Sequence, residues 1–249
     1  MITYQSDRAT PISSPPAIAP NPDRTDLLSI EAEALDPPHK LARQTVLFAA
    51  VFLVSVPVFL QAPLVRNLPV VSLVGTLVWS WLSLYLSQRD RTRVWGELLT
   101  GFTWTWLSGS LYWGWLRTEP LWHLPIEAVA LPLALWGLKK NWCSVGVWFY
   151  LGSLFGTTVT DTYFYAVDLI PSWRQIMINP EQANLIFHMA LMQMNTTLGW
   201  TWAIGLLLLL SLTGLGTFRI KTLPALAFSG AVVSTILVDG LFWVAALLA

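Results

Sequence analysis

Six ionisable side chains stand in stretches of chain that are otherwise apolar: Glu97, His123, Glu127, Asp161, His188 and Asp239. An ionised group at the centre of a membrane helix costs about 3 kcal/mol or more, so each needs a partner, water or neutrality. A buried carboxylic acid can serve as a general acid, and a histidine held by a carboxylate as a proton carrier. His123 and Glu127 are four apart and share one helical face. Ser153, Thr157 and Asp161 make a polar stripe at the same spacing, and His188, Met192, Asn195 and Gly199 another. Ala227, Ala231, Thr235 and Asp239 form a small-residue stripe ending in an acid, and Gly152 and Gly156 offer a similar close-packing face. Three readings are open for these groups: polar fasteners between helices, a proton, ion or substrate site, and a pigment or metal site. The catalytic candidates are Glu127, Asp239, His123, His188 and Asp161. Glu97 follows Arg89, Arg91 and Arg93 and reads as an interfacial acid beside its counter-ions.

The elements carrying these residues are read from composition. Of 249 residues, 55% are hydrophobic and only 11% charged, with mean hydropathy +0.57. That excludes a water-soluble enzyme, a disordered chain and a disulfide scaffold. The single cysteine, Cys143, can form neither an internal bridge nor a cysteine-based zinc site. No HExxH motif, EF-hand loop or cysteine pair is present, so no metal is assigned. No basic patch suits nucleic acid.

Residues 1–40 carry nine of the 28 charges and seven of the 16 prolines. They read as a polar cytoplasmic tail, disordered over 1–22, with a short helix at 25–35. Beyond it, apolar blocks of about 20 residues match the length needed to cross a bilayer. They predict an all-α transmembrane bundle with seven spans, at about 44–65, 68–88, 95–116, 121–138, 142–160, 182–213 and 223–247. The sixth reads as one long helix, capped by Asn179 with Pro180 at its first position. Nine Lys and Arg fall on one side of these spans and three on the other, which places the N-terminus in the cytoplasm and the C-terminus outside. His123, Glu127, Asp161, His188 and Asp239 then fall in the outer third. The loop 161–183 is expected to form a short amphipathic segment near Trp173 and Arg174.

Fifteen tryptophans are more than an interfacial belt requires. Trp104, Trp106 and Trp200 sit at mid-depth in this reading. They either pack a wide interior or, with His123 and His188, contact a flat apolar cofactor such as a chlorin or carotenoid. No particular cofactor is assigned.

The strings Trp122-His123-Leu124-Pro125-Ile126-Glu127-Ala128, Phe149-Tyr150-Leu151-Gly152-Ser153 and Thr160-Asp161-Thr162-Tyr163-Phe164-Tyr165 resemble a family of cyanobacterial integral membrane proteins of unknown function, over about residues 45–245. The resemblance implies a cyanobacterial plasma or thylakoid membrane and assigns no activity. Leu124-Pro125-Ile126-Glu127 also resembles the Pro-x-Glu-Glu element of small membrane-embedded lycopene cyclases, whose acid would protonate a polyene; Ala128 replaces the second acid here. No P-loop, dinucleotide fingerprint, nucleophile elbow or DDxxD-type prenyl site is present. The expected partners are the bilayer and a larger membrane-protein complex or a pigment. The leading expectation is a non-catalytic auxiliary or assembly factor of a photosynthetic or respiratory complex. The alternatives are an intramembrane enzyme acting on an isoprenoid or lipid, with Glu127 or Asp239 as general acid, and a small proton- or ion-coupled transporter.

Overall fold

The computed structural model describes residues 37–248; the expectations for 1–22 and 25–35 lie outside the described residues. Among the described residues every regular element is helical. We number the α-helices α1 (Pro37–Asn67), α2 (Pro69–Ser87), α3 (Arg93–Leu111), α4 (His123–Glu127), α5 (Leu131–Lys140), α6 (Ser144–Ala166), α7 (Ile170–Ile178), α8 (Ala183–Met194), α9 (Thr197–Phe218) and α10 (Leu223–Leu248). Five stretches are long and apolar enough to cross a membrane: Arg43–Asn67, Pro69–Ser87, Pro120–Lys140, Thr197–Phe218 and Leu223–Leu248. The chain is therefore a helical membrane protein.

α6 is the hub. It packs against α10 and α3 most closely, and also touches α4, α5 and α9. Glycine makes these contacts possible. Carbons added at Gly101 and Gly146 would meet each other's helix backbone at 2.1 Å and 2.0 Å, so α3 and α6 touch main chain to main chain. On the other side, Gly152 lies against Phe228 and Ala231, and Gly156 against Thr235. The small-residue stripe of α10 thus meets the glycine face of α6, as expected from the sequence. Val46, Ala50, Leu98, Phe102, Val145, Phe149, Ala227 and Ala231 fill the core where α1, α3, α6 and α10 meet. At one end, the Arg43 guanidinium donates to the Lys221 carbonyl in the α9–α10 turn, with Nε at 2.8 Å.

Two expected helices are interrupted. The fourth expected span is α4 and α5 joined by a tightened 3₁₀ turn over Ala128–Ala130. Proline is the cause. Pro132 has no N–H to give the Ala128 carbonyl, so Leu131 takes it instead. The Glu127 carbonyl thereby loses its helical partner four residues on, and the Tyr150 hydroxyl donates to it at 2.8 Å. Buried in apolar surroundings, that oxygen would otherwise be under-satisfied.

The expected long helix over 182–213 is two helices, α8 and α9, which break at Asn195–Thr196. Thr196 is extended (φ −75°, ψ 161°); its hydroxyl donates to the Gln193 carbonyl at 2.8 Å and accepts from the Gly199 N–H at 3.1 Å. One hydroxyl thus closes the end of α8 and opens α9. The polar stripe His188–Asn195–Gly199 is split by this break. Asn179 makes no side-chain cap, and Pro180 opens a 3₁₀ turn, Pro180–Gln182.

Candidate functional site

α3 does not end as an ordinary helix. It runs on through a widened π turn, Tyr112–Leu116, a form that concentrates at functional sites. This turn lays the Tyr112 ring over His123 at the start of α4, with centroids 4.4 Å apart. His123 Nδ1 lies 2.8 and 3.1 Å from the two carboxylate oxygens of Asp161 on α6. The carboxylate accepts the Nδ1 hydrogen, which fixes the ring and leaves Nε2 outside this pair. Glu127, one turn beyond His123, is buried. It lies within electrostatic reach of both His123 and Asp161, and its carboxylate makes no hydrogen bond among the described residues. The Tyr112 hydroxyl is likewise sealed in, with no hydrogen-bond partner among the described residues. The Trp173 indole beside it gives its hydrogen to the Arg117 carbonyl instead, at 2.9 Å. On the far side of Asp161, the Thr160 hydroxyl donates to Asp239 on α10 at 2.8 Å.

α7 closes this end of the bundle, and contains Trp173 and Arg174 as the sequence suggested. The Arg174 guanidinium donates to both Glu119 oxygens, at 2.7 and 3.0 Å. Glu119 in turn accepts from the Leu121 N–H at 3.3 Å, opening the short turn that leads into α4. The Arg174 hydrogen bonds hold the Glu119 carboxyl below the usual carboxylate range. Their contribution is therefore complete above that range and fades as pH falls through the lowered value. Around this junction Phe164 packs edge to face on Trp173, and Trp113 lies tilted against it.

The structure brings His123, Glu127, Asp161 and Asp239 into one neighbourhood. It does not bring His188, which is exposed on α8 and makes no hydrogen bond among the described residues. The partner of Asp239 is Thr160, not a histidine. Glu97 is 3.2 Å from Arg93 and accepts from the Val145 N–H at 3.1 Å, so it caps α6 and pairs with its counter-ion. Trp104 packs edge-on to Tyr150, with centroids 5.5 Å apart. Trp106 meets Trp79 edge to face, lies tilted against Phe102 and donates to the Ser72 carbonyl at 2.9 Å. Trp200 lies exposed near the start of α9. Two of the three are therefore core side chains. Among the described residues no group of three or more His, Cys, Asp and Glu is arranged to hold a metal ion.

Sequence reasoning missed Tyr112 and Tyr150, which line the site. It also missed Gln61, which donates to the Trp106 carbonyl at 2.8 Å and to the Ser110 hydroxyl at 3.0 Å. For Gln61 the signal was available: an amide in a charge-free span must find a partner.

A family model described as a protein of unknown function, DUF3120, matches residues 50–247. The chain belongs to that family. Neither the curated proteins nor the solved structures give a match.

Proposed function

We propose that this protein is a seven-span membrane protein, amino terminus cytoplasmic and carboxyl terminus external, that serves a larger complex of a cyanobacterial photosynthetic or respiratory membrane, plasma or thylakoid, as a non-catalytic auxiliary or assembly factor. One observation carries the reading: four of the six ionisable groups within the helices, Glu97, His123, Asp161 and Asp239, are spent on joining helices. His123 ties α4 to α6, Asp239 ties α10 to α6, and Glu97 caps α6 from α3. Such pairs fix one arrangement of spans. The seven-span count adds α3 with its π turn, and α6, to the five more apolar stretches. Each is about 35 Å long at about 1.5 Å per residue, enough to cross. The nine-to-three distribution of Lys and Arg sets the direction. A fluorescent protein that matures only in the cytoplasm should shine on the N-terminus and stay dark on the C-terminus; the reverse pattern refutes the orientation.

A second reading, an intramembrane enzyme with Glu127 as general acid toward an isoprenoid or lipid, is favoured by a buried carboxylate that no hydrogen bond occupies among the described residues. A deletion strain complemented with Glu127→Gln separates the two. Under the auxiliary reading, deletion lowers the yield of a membrane complex and Glu127→Gln restores it, with protein abundance within about two-fold of wild type. If deletion instead leaves the complexes intact and removes an isoprenoid or lipid product that Glu127→Gln does not restore, the auxiliary reading is wrong.

A further inference from the structure

α8 has 12 residues, about 18 Å at about 1.5 Å per residue, far short of a roughly 30 Å hydrocarbon core. It is nevertheless apolar on both sides. Ile186 and Leu191 face the bundle, while Leu185, Met189 and Met192 are 60%, 40% and 68% exposed. Positions 185, 189 and 192 are spaced to lie along one face. Outside it, the face is bordered by polar residues: Asn184 and His188 along the helix, Glu181 before it, Asn195 and Thr196 after it, all exposed. Large apolar side chains left in water along two turns of helix would need a cover.

We infer that α8 lies half-inserted in the leaflet that holds the His123–Asp161 pair, with Leu185, Met189 and Met192 among the upper acyl chains. The occupant of this face is lipid for three reasons. The exposed apolar surface continues past the Asn195–Thr196 break into Leu198, Trp200 and Trp202 of α9, a helix long and apolar enough to cross the bilayer. No Asp, Glu, Lys or Arg occurs from 182 to 218 to hold the helix in water or to pair with a charged partner. The polar groups that do occur, Asn184 and His188, suit the headgroup layer. The break at Thr196 is what lets the chain turn from a shallow helix into a crossing one. This inference goes beyond the proposed auxiliary role and does not depend on which compartment the leaflet faces.

The test uses the full-length protein reconstituted in phosphatidylcholine–phosphatidylglycerol vesicles. Met192→Cys, and separately Leu185→Cys, carry a small environment-sensitive fluorophore; Thr118→Cys, in the exposed turn between α3 and α4, serves as the aqueous reference. The native Cys143 is buried, so the unsubstituted protein supplies the blank. Lipids spin-labelled high on the acyl chain should quench the fluorophore at 192 and at 185 at least three-fold more than at 118. A water-soluble maleimide given before detergent should label 192 and 185 at least ten-fold more slowly than after detergent is added. Equal quenching at all three positions overturns the proposal. So does protection from maleimide without lipid quenching, because that result means a protein covers the face.

Discussion

Gly146→Ala is expected to destabilise the protein by about 3 kcal/mol, the upper end of the cost of overpacking. The added carbon would stand 2.0 Å from the Glu97 carbonyl oxygen and 2.9 Å from its carbon. Neither atom belongs to a side chain that can rotate away, so α3 and α6 must separate. Separation also disturbs the Glu97 cap on Val145. Gly205→Ala is the control. It adds the same methyl to a helix where nothing lies within 4 Å, and should be neutral or stabilising by about 0.5 kcal/mol. Reversible unfolding in mixed detergent micelles measures both. Equal stabilities for the two variants would mean that the α3–α6 contact is not as close as described.

His123→Leu should cost about 3 kcal/mol, the lower end of the penalty for leaving one member of a buried pair behind, because this pair is partly exposed. Asp161 would lose both close approaches of the imidazole while remaining near Glu127 and Asp239. The double variant His123→Leu/Asp161→Leu should recover most of that loss, since a packed apolar pair often substitutes for a buried ionic one. The same unfolding assay decides: a double variant no more stable than His123→Leu would show that the pair is not a simple fastener between α4 and α6.

The sequence showed which residues were costly in a bilayer and which faces were small, because both follow from residue type and helical spacing. Glu127 and His123 share a face by their spacing, and the Ala227–Asp239 stripe does meet Gly152 and Gly156. What periodicity does not contain is the order and rotation of helices. It could not choose Asp161 over Asp239 or Glu127 as the partner of His123, nor place His188 away from all of them. The break at Thr196 was hidden for another reason. A charge-free run of 37 residues outweighs a single threonine in any composition-based reading, yet one hydroxyl bonded in both directions is enough to end one helix and begin the next. The Ala128–Ala130 turn was not foreseen in the span expected over 121–138, although Pro132 carried the signal for it.

The polar character of the hub bears on how the chain is made. α3 and α6 are absent from the five stretches apolar enough to cross a membrane on composition alone, and α6 carries Ser153, Thr157, Thr158, Thr160, Asp161 and Thr162. Released singly from the insertion channel, neither gains much by moving into lipid. α3 emerges after α2, against which it packs, and so has a companion waiting. α6 finds α3 already made, but α10, against which it packs most extensively, follows it in the chain by more than 50 residues. Until residue 223 and those after it are made, the Thr160–Asp161 face of α6 has no α10 to meet. A ribosome-bound chain ending before Leu223 therefore holds an unfinished hub. Its α6 leaves the Thr160–Asp161 face uncovered until α10 arrives to pack against it.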